Sequence, residues 1–161
     1  MRNKSYSIEE AQKLLENYCS YQERSHKEVI EKLRNINIIS IGIDQIVSSL
    51  IQNNYLNEER FAKSFSRGKF RIKGWGKTRI TFKLRQHLVS DFNIKVGLEE
   101  IDDEEYIKTL NKLSSKIWKS SKGEDSLDKR KMKFISTLKY KGWESNLIYD
   151  QLNKIEKNLF D

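Results

Sequence analysis

The 161-residue sequence contains no proline, only seven glycines and a single cysteine. Because tight turns between strands draw heavily on proline and glycine, this composition disfavours an all-β protein. One cysteine, Cys19, cannot form an internal disulfide or build a cysteine-based zinc site. Apolar runs are only a few residues long, and acidic residues precede any apolar stretch at the amino terminus. We therefore expect a soluble cytoplasmic protein without a membrane helix or a signal peptide.

Apolar residues instead recur at helical spacing along nearly the whole chain, of which 37% is hydrophobic and 34% charged. Capping boxes begin two of the predicted helices, at Ser7 with Glu10 and at Ser25 with Glu28. The β-branched stretch 36–43 has no partner strand and is interpreted as a helix end and a connection. The predicted helices run over about 8–18, 25–33, 44–53, 58–73, 77–89, 96–101, 103–119, 127–140 and 145–157.

The helices repeat in threes, since similar apolar patterns return at intervals of 51 and 54 residues. Three sets of residues coincide: Leu33, Leu84 and Leu138; Val29, Ile80 and Phe134; Ile38, Val89 and Trp143. We therefore predict an all-α fold of three tandem three-helix repeats, at about 7–56, 57–102 and 103–160. Stacked side by side, such units would form an elongated, curved array.

The formal net charge of +8 is concentrated in one dense block. Ten basic residues and no acidic one lie between Arg60 and Ser90, a weaker basic block lies between Lys112 and Lys141, and six acids fall in Glu99–Glu105. Such a block predicts a polyanion or an acidic protein surface as the partner. The predicted binding residues are Arg60, Lys63, Arg67, Arg71, Lys73, Lys77, Arg79, Lys83 and Arg85.

Aromatic residues lie among these cations on the fourth helix and after it. Phe61, Phe65 and Ile72 fall within about 40° of one another on a helical wheel and are predicted to face the interior. Phe70 lies beside the basic stripe that Arg60, Lys63, Arg67 and Arg71 form on the fourth helix and that the cations of the fifth extend. Trp75 lies in a turn flanked by glycines. Both could stack on unpaired bases, although a plug at the helix junction is the favoured role for Trp75.

Motifs for catalysis and cofactor binding are missing. The sequence has no GxxxxGK[ST] and no GxGxxG, and the run from Gly74 to Thr78 resembles only the end of a phosphate-binding loop. The two histidines, His26 and His87, have no neighbour at metal-ligand spacing. Consecutive carboxylates in Glu99–Glu105 would point in several directions on a helix. We expect no catalytic residue, no metal and no cofactor, and hence no enzyme.

Four segments together resemble the RecX family of bacterial regulatory proteins, over about residues 14–152. They are Arg24-Ser25-His26-x-Glu28-Val29-Ile30-x-Lys32-Leu33, Tyr55-Leu56-Asn57-Glu58-Glu59-Arg60-Phe61-Ala62, Lys73-Gly74-Trp75-Gly76 with Ile80 and Leu84, and Leu138-x-x-Lys141-Gly142-Trp143. Family members often have glycine after the second helix of the first two units, where this chain has Asn37 and Leu88.

The resemblance implies tandem three-helix repeats and a regulatory function, and we expect the protein to be a monomer. Its expected partners are the RecA recombinase filament and single-stranded DNA, directly or within the filament. It would restrain filament extension, ATP hydrolysis and strand exchange, and so modulate recombinational repair and the SOS response. The basic stripe would then meet DNA phosphates or acidic residues of the filament.

Two other functions remain open from the sequence. A general basic DNA-binding protein would contact phosphates without a specific protein partner. A metal-dependent nuclease would use the acidic segment to hold Mg²⁺.

Overall fold

The computed structural model describes the backbone of residues 5–160 and the side chains of residues 5–158. Within that range the regular structure is entirely α-helical, which confirms the predicted fold class. The helices are α1 (Ile8–Tyr21), α2 (His26–Asn35), α3 (Ser40–Gln52), α4 (Glu58–Lys73), α5 (Lys77–Gln86), α6 (Asp91–Leu98), α7 (Asp103–Ser120), α8 (Leu127–Tyr140) and α9 (Ser145–Phe160). None of the described helices is long and apolar enough to cross a membrane.

Helix starts follow the capping signals of the sequence. At α2, the Ser25 hydroxyl accepts from the Glu28 amide at 3.1 Å, and the Glu28 carboxylate accepts from the Ser25 amide at 2.7 Å. Ser7 and Glu10 form the same reciprocal box at α1. These pairs satisfy amides that have no partner inside the helix, so both predicted capping boxes are confirmed.

Two helices begin four or more residues before their predicted starts. The third helix begins at Ser40 rather than near residue 44, because Gly42 and Ile43 are buried and the helix extends to cover them. The sixth runs over Asp91–Leu98 rather than 96–101, since the Ser90 hydroxyl accepts from the Asn93 amide at 3.3 Å and starts the helix there. This helix has only eight residues, so its apolar pattern was too short to locate its start.

The interior face of α4 also differs from the prediction. Phe61, Ala62, Ser66 and Phe70 are buried, whereas Ile72 is 80% exposed. The small residues decide this, because Gly97 of α6 packs directly on Ala62 and brings that side of the helix inward. The large side chains alone therefore indicated the wrong face.

The turns after α2, α5 and α8 share one geometry. Asn37, Leu88 and Gly142 have positive φ angles of 63°, 59° and 89°. In each turn the next amide donates at 3.1 Å to the carbonyl five residues back, which belongs to Leu33, Leu84 or Leu138. This is a Schellman helix end. The three leucines are 0% exposed, so the aligned positions of the repeat have matching backbone and burial.

Leu88 occupies one of these left-handed positions with a side chain that is 74% exposed. Because a Cβ in this conformation costs about 1–2 kcal/mol and glycine avoids that cost, we expect Leu88→Gly to raise the free energy of unfolding by about 0.5–1 kcal/mol. Leu88→Ala retains the Cβ and should give no gain. Urea unfolding of the three proteins measures the difference, and equal stability of the Gly and Ala variants would contradict it.

The chain divides into two compact units. The first contains 5–64 with Leu84–Gly97, and its core includes the fully buried Ala11, Leu15 and Ile46. Cys19 lies in this core, where burial raises the pKa of its thiol to about 11. The second contains Phe65–Lys83 with 98–160. Helices α4 and α5 each contribute to both units, so the three repeat boundaries remain a prediction.

Candidate nucleic-acid interface

Six of the nine predicted binding residues are engaged by carboxylates. The ion pairs are Arg60–Glu23 (2.6 Å), Lys63–Glu59 (2.6 Å), Arg67–Glu100 (2.7 Å), Arg71–Glu105 (3.4 Å), Lys77–Asp103 (3.1 Å) and Arg85–Asp91 (3.5 Å). The dense basic block is therefore not the uncompensated surface that its local sequence indicates.

The acidic segment Glu99–Glu105 supplies the partners of Arg67, Arg71 and Lys77 in the second unit. These ion pairs are partly exposed, and such pairs contribute only about 0–1 kcal/mol each to stability. They lower the positive charge of the stripe, yet a strong polyanion can compete for the same cations. The acidic segment thus functions as an internal counter-charge.

Arg60 also holds a turn together. Besides its pair with Glu23, its guanidinium donates to the Asn54 side-chain oxygen at 2.9 Å and to the Asn54 carbonyl at 3.0 Å. Asn54 has a φ of 61°, so this side chain fixes the left-handed turn between α3 and α4. Arg60 therefore has a structural role.

Arg79 lies between two aromatic rings, with its guanidinium 4.2 Å from the centroid of Trp75 and 4.4 Å from that of Tyr140. It donates to the Tyr140 carbonyl at 2.7 Å. Trp75 also meets Phe65 edge to face at 6.5 Å. Trp75 is thus packed at a helix junction, which is the role predicted for it in preference to base stacking.

Phe70 is 2% exposed and packs against Tyr106, with ring centroids 5.7 Å apart. The hypothesis that Phe70 stacks on bases is therefore wrong. The Tyr106 hydroxyl accepts from the Lys77 amide at 2.9 Å and donates to the Glu144 carboxylate at 2.6 Å. Burial, and then the bond to Glu144, raise the pKa of Tyr106, so it stays protonated and fixes the start of α5.

Two of the quoted motifs meet in the second unit. Gly76 donates its amide to the Lys141 carbonyl at 2.9 Å, and Thr78 donates to the Gly142 carbonyl at 3.1 Å. The Trp143 indole donates to the Gly74 carbonyl at 3.1 Å. These bonds join the turn before α5 to the turn before α9. The glycine motifs therefore have a structural role.

A groove of about 550 Å³ lies beside this junction, lined by the end of α4, by α7 and by the turn after α8. Its cationic lining residues are Arg71, Lys73, Lys112, Lys116 and Lys141. Lys73 was predicted as a binding residue, whereas Lys112, Lys116 and Lys141 were not. The available signal was the i, i+4 spacing of Lys112 and Lys116 in the weaker basic block.

The described residues contain no cluster of three or more His, Cys, Asp or Glu side chains placed to share a metal ion. The carboxylates of the acidic segment that contact cations face the basic residues of α4 and the start of α5. His87 Nδ1 lies 3.1 Å from the hydroxyl of Ser25, which already accepts from the Glu28 amide as a helix cap. That serine is 1% exposed, so the pair is a structural contact.

A family model described as "RecX, second three-helix domain" matches residues 57–98, which correspond to α4–α6. The chain is 32% identical over 146 residues to the regulatory protein RecX of Lactobacillus johnsonii, covering 89% of this chain and 54% of that protein. It is 32% identical over 140 residues to RecX of Lactobacillus gasseri, covering 86% and 51%. This chain spans about half the length of the curated relatives it matches.

Solved structures agree with these similarities. A crystal structure of RecX from Lactobacillus salivarius matches with a TM-score of 0.78 and 25% identity, covering 92% of this chain and 96% of that one. Another crystal structure, of a regulatory protein RecX, shares the fold with a TM-score of 0.75 and 22% identity, covering 89% and 73%. From the matched helices, the named relatives and the shared fold, we conclude that the chain belongs to the RecX family of regulatory proteins.

Proposed function

We propose that this protein binds the RecA recombinase filament on single-stranded DNA and inhibits its extension, ATP hydrolysis and strand exchange. In this way it would modulate recombinational repair and the SOS response in the cytoplasm. The observation that carries the proposal is the 32% identity to a relative named regulatory protein RecX, over 89% of this chain. No catalytic step is required of such a regulator, and we propose that it is not an enzyme.

Inhibition by binding alone has a simple physical basis. A regulator that binds one filament geometry more tightly than another shifts the filament toward that geometry by its difference in binding free energy. Contact with neighbouring RecA protomers would supply this difference, and contact with DNA phosphates would add affinity without sequence preference. A monomer with no cofactor suffices for this mechanism.

A general basic DNA-binding protein is the second candidate, and the lysines of the α7 groove are the observation that favours it. The two functions differ in what the protein prefers to bind. The regulator should bind a RecA-coated strand more tightly than the naked strand, whereas the general binder should treat RecA as an obstacle.

The test is the affinity of fluorescently labelled protein for one oligonucleotide, naked and coated with the cognate RecA in the presence of a non-hydrolysable ATP analogue. We expect at least about tenfold tighter binding to the coated strand, or about 1.4 kcal/mol. Equal or weaker binding to the coated strand would favour the general binder. In the same samples with Mg²⁺ or Mn²⁺, the oligonucleotide should remain intact, and cleavage would instead support a nuclease.

A further inference from the structure

The groove beside α7 contains positive charge that no carboxylate of the described residues pairs with. Among the described residues, no carboxylate lies within ion-pair distance of Lys73, Lys112, Lys116 or Lys141. The carboxylate that lines the groove belongs to Glu105, which pairs with Arg71. The Lys141 ammonium donates to the Lys73 carbonyl at 3.3 Å, so it lies close to the end of α4. An incoming anion would therefore meet ammonium groups without a carboxylate partner here, whereas at Arg67 and Arg71 it must first displace a glutamate.

Spacing along α7 suits a linear polyanion. Lys108, Lys112, Lys116 and Lys119 fall within an arc of about 80° on the helix, and four residues rise by about 6 Å. The buried residues Tyr106, Leu110 and Trp118 lie on the opposite side. Successive phosphates of an extended single strand are separated by a similar distance, so one strand can follow this line of lysines.

The lining of the groove also favours an unpaired strand over a duplex. Ile72, 80% exposed, and the partly buried Leu113 line the groove together with its lysines. These apolar side chains offer contact to sugars and to the faces of unstacked bases, which a duplex keeps inside its stack. Thr109 adds a neutral hydrogen-bonding group to the lining.

The residue types in the groove are compatible with phosphate as the bound anion. Lysine binds phosphate as a point charge without fixed geometry. The groove cations without a carboxylate partner are all lysines, whereas Arg67 and Arg71 already bind carboxylates of this chain. Together with the spacing along α7 and the apolar lining, these lysines fit the phosphodiesters of an extended strand.

We propose that the groove formed by Lys73, Lys112, Lys116 and Lys141 binds the sugar–phosphate backbone of single-stranded DNA. The α7 groove, rather than the α4–α5 stripe, is then the first surface that the strand contacts. This inference rests on the proposed function for its choice of single-stranded DNA as ligand. Its test uses naked DNA without RecA, so the two can fail separately.

The test compares Lys112→Gln/Lys116→Gln with Lys13→Gln/Lys95→Gln. All four lysines are exposed, and the control pair lies outside the groove without an ion pair to any described residue. Both doubles change the net charge equally. Binding to a fluorescent oligothymidylate is measured by anisotropy across a range of salt concentrations, and circular dichroism checks helicity.

We expect the groove double variant to weaken binding about tenfold at low salt and to reduce the log–log salt slope by about 1.4, or 0.7 for each lost phosphate contact. The control double variant should change the affinity by less than about twofold, as expected for long-range charge alone. Equal weakening by both variants would overturn the proposal, as would an unchanged affinity of the groove variant.

Poly-glutamate serves as a second probe. If it displaces the oligonucleotide at the same charge concentration as unlabelled oligothymidylate, the groove is an acceptor for acidic protein and the proposal is overturned. Displacement only at much higher concentration supports it. The two proposals can have different outcomes. If the groove variant loses binding to naked DNA while the wild type does not bind a RecA-coated strand, the groove proposal is supported and the proposed function is contradicted.

Discussion

Replacing Gly76 by alanine is expected to lower the free energy of unfolding by about 3 kcal/mol. A Cβ at this position would press into the backbone of Gly142 and Trp143. Backbone atoms cannot rotate out of the way as a flexible side chain can, so the turn before α5 must move. The bonds from Gly76 to the Lys141 carbonyl and from Thr78 to the Gly142 carbonyl would then lengthen together.

Gly68→Ala is the matched control, because it adds the same methyl group at a position with open space in α4. Alanine is favoured over glycine inside a helix by about 0.5–1 kcal/mol, so this variant should be more stable than the wild type. Urea unfolding followed by circular dichroism gives both values. A lower free energy of unfolding for Gly76→Ala and a higher one for Gly68→Ala would support close packing of the turn before α5 against the turn before α9. An unchanged free energy of unfolding in Gly76→Ala would contradict it.

Neutralising two acids of the internal counter-charge, in Glu100→Gln/Glu105→Gln, is expected to tighten binding to naked single-stranded DNA about tenfold at low salt. The change frees the guanidinium groups of Arg67 and Arg71 for phosphate contacts. Two added contacts should also steepen the log–log salt slope by about 1.4. Stability should change little, because the ion pairs are partly exposed.

A second double variant controls for net charge. Glu99→Gln/Asp150→Asn removes the same two charges from exposed side chains that form no ion pair with a described cation. Long-range attraction alone should tighten binding by less than about twofold. If the two double variants gain DNA affinity equally, the acidic segment does not compete with phosphates for Arg67 and Arg71, and the prediction is wrong.

Much of the fold could be predicted because its signals are local. The capping boxes at Ser7 and Ser25 use residues three apart, and the apolar positions of α8 define its length directly, so both predicted helix ends of α8 match the structure. The repeat could be recognised because Leu33, Leu84 and Leu138 lie near the ends of α2, α5 and α8, which are followed by similar turns. Asn37 and Leu88 stand where family members often have glycine, and both residues have the positive φ angle that glycine adopts most easily.

The candidate site could be predicted only in part because its electrostatics depend on residues far apart in the sequence. The pair Arg67–Glu100 joins residues 33 positions apart, and the bond from Lys141 to the Lys73 carbonyl spans 68. A count of charge along the sequence therefore located the basic block, but it did not show that carboxylates distant in the sequence pair with several of its cations. The free lysines became apparent only when the fold brought the end of α4 to α7.

The single-stranded-DNA-dependent ATPase of the cognate RecA, titrated with this protein, tests the proposed function most directly. The account predicts inhibition at far less than one molecule per RecA monomer, because a regulator of filament extension acts at few sites. Inhibition only at amounts that coat the DNA, and relieved by added DNA, would contradict it and indicate competition for phosphates. An unchanged ATPase at saturating protein would contradict it as well.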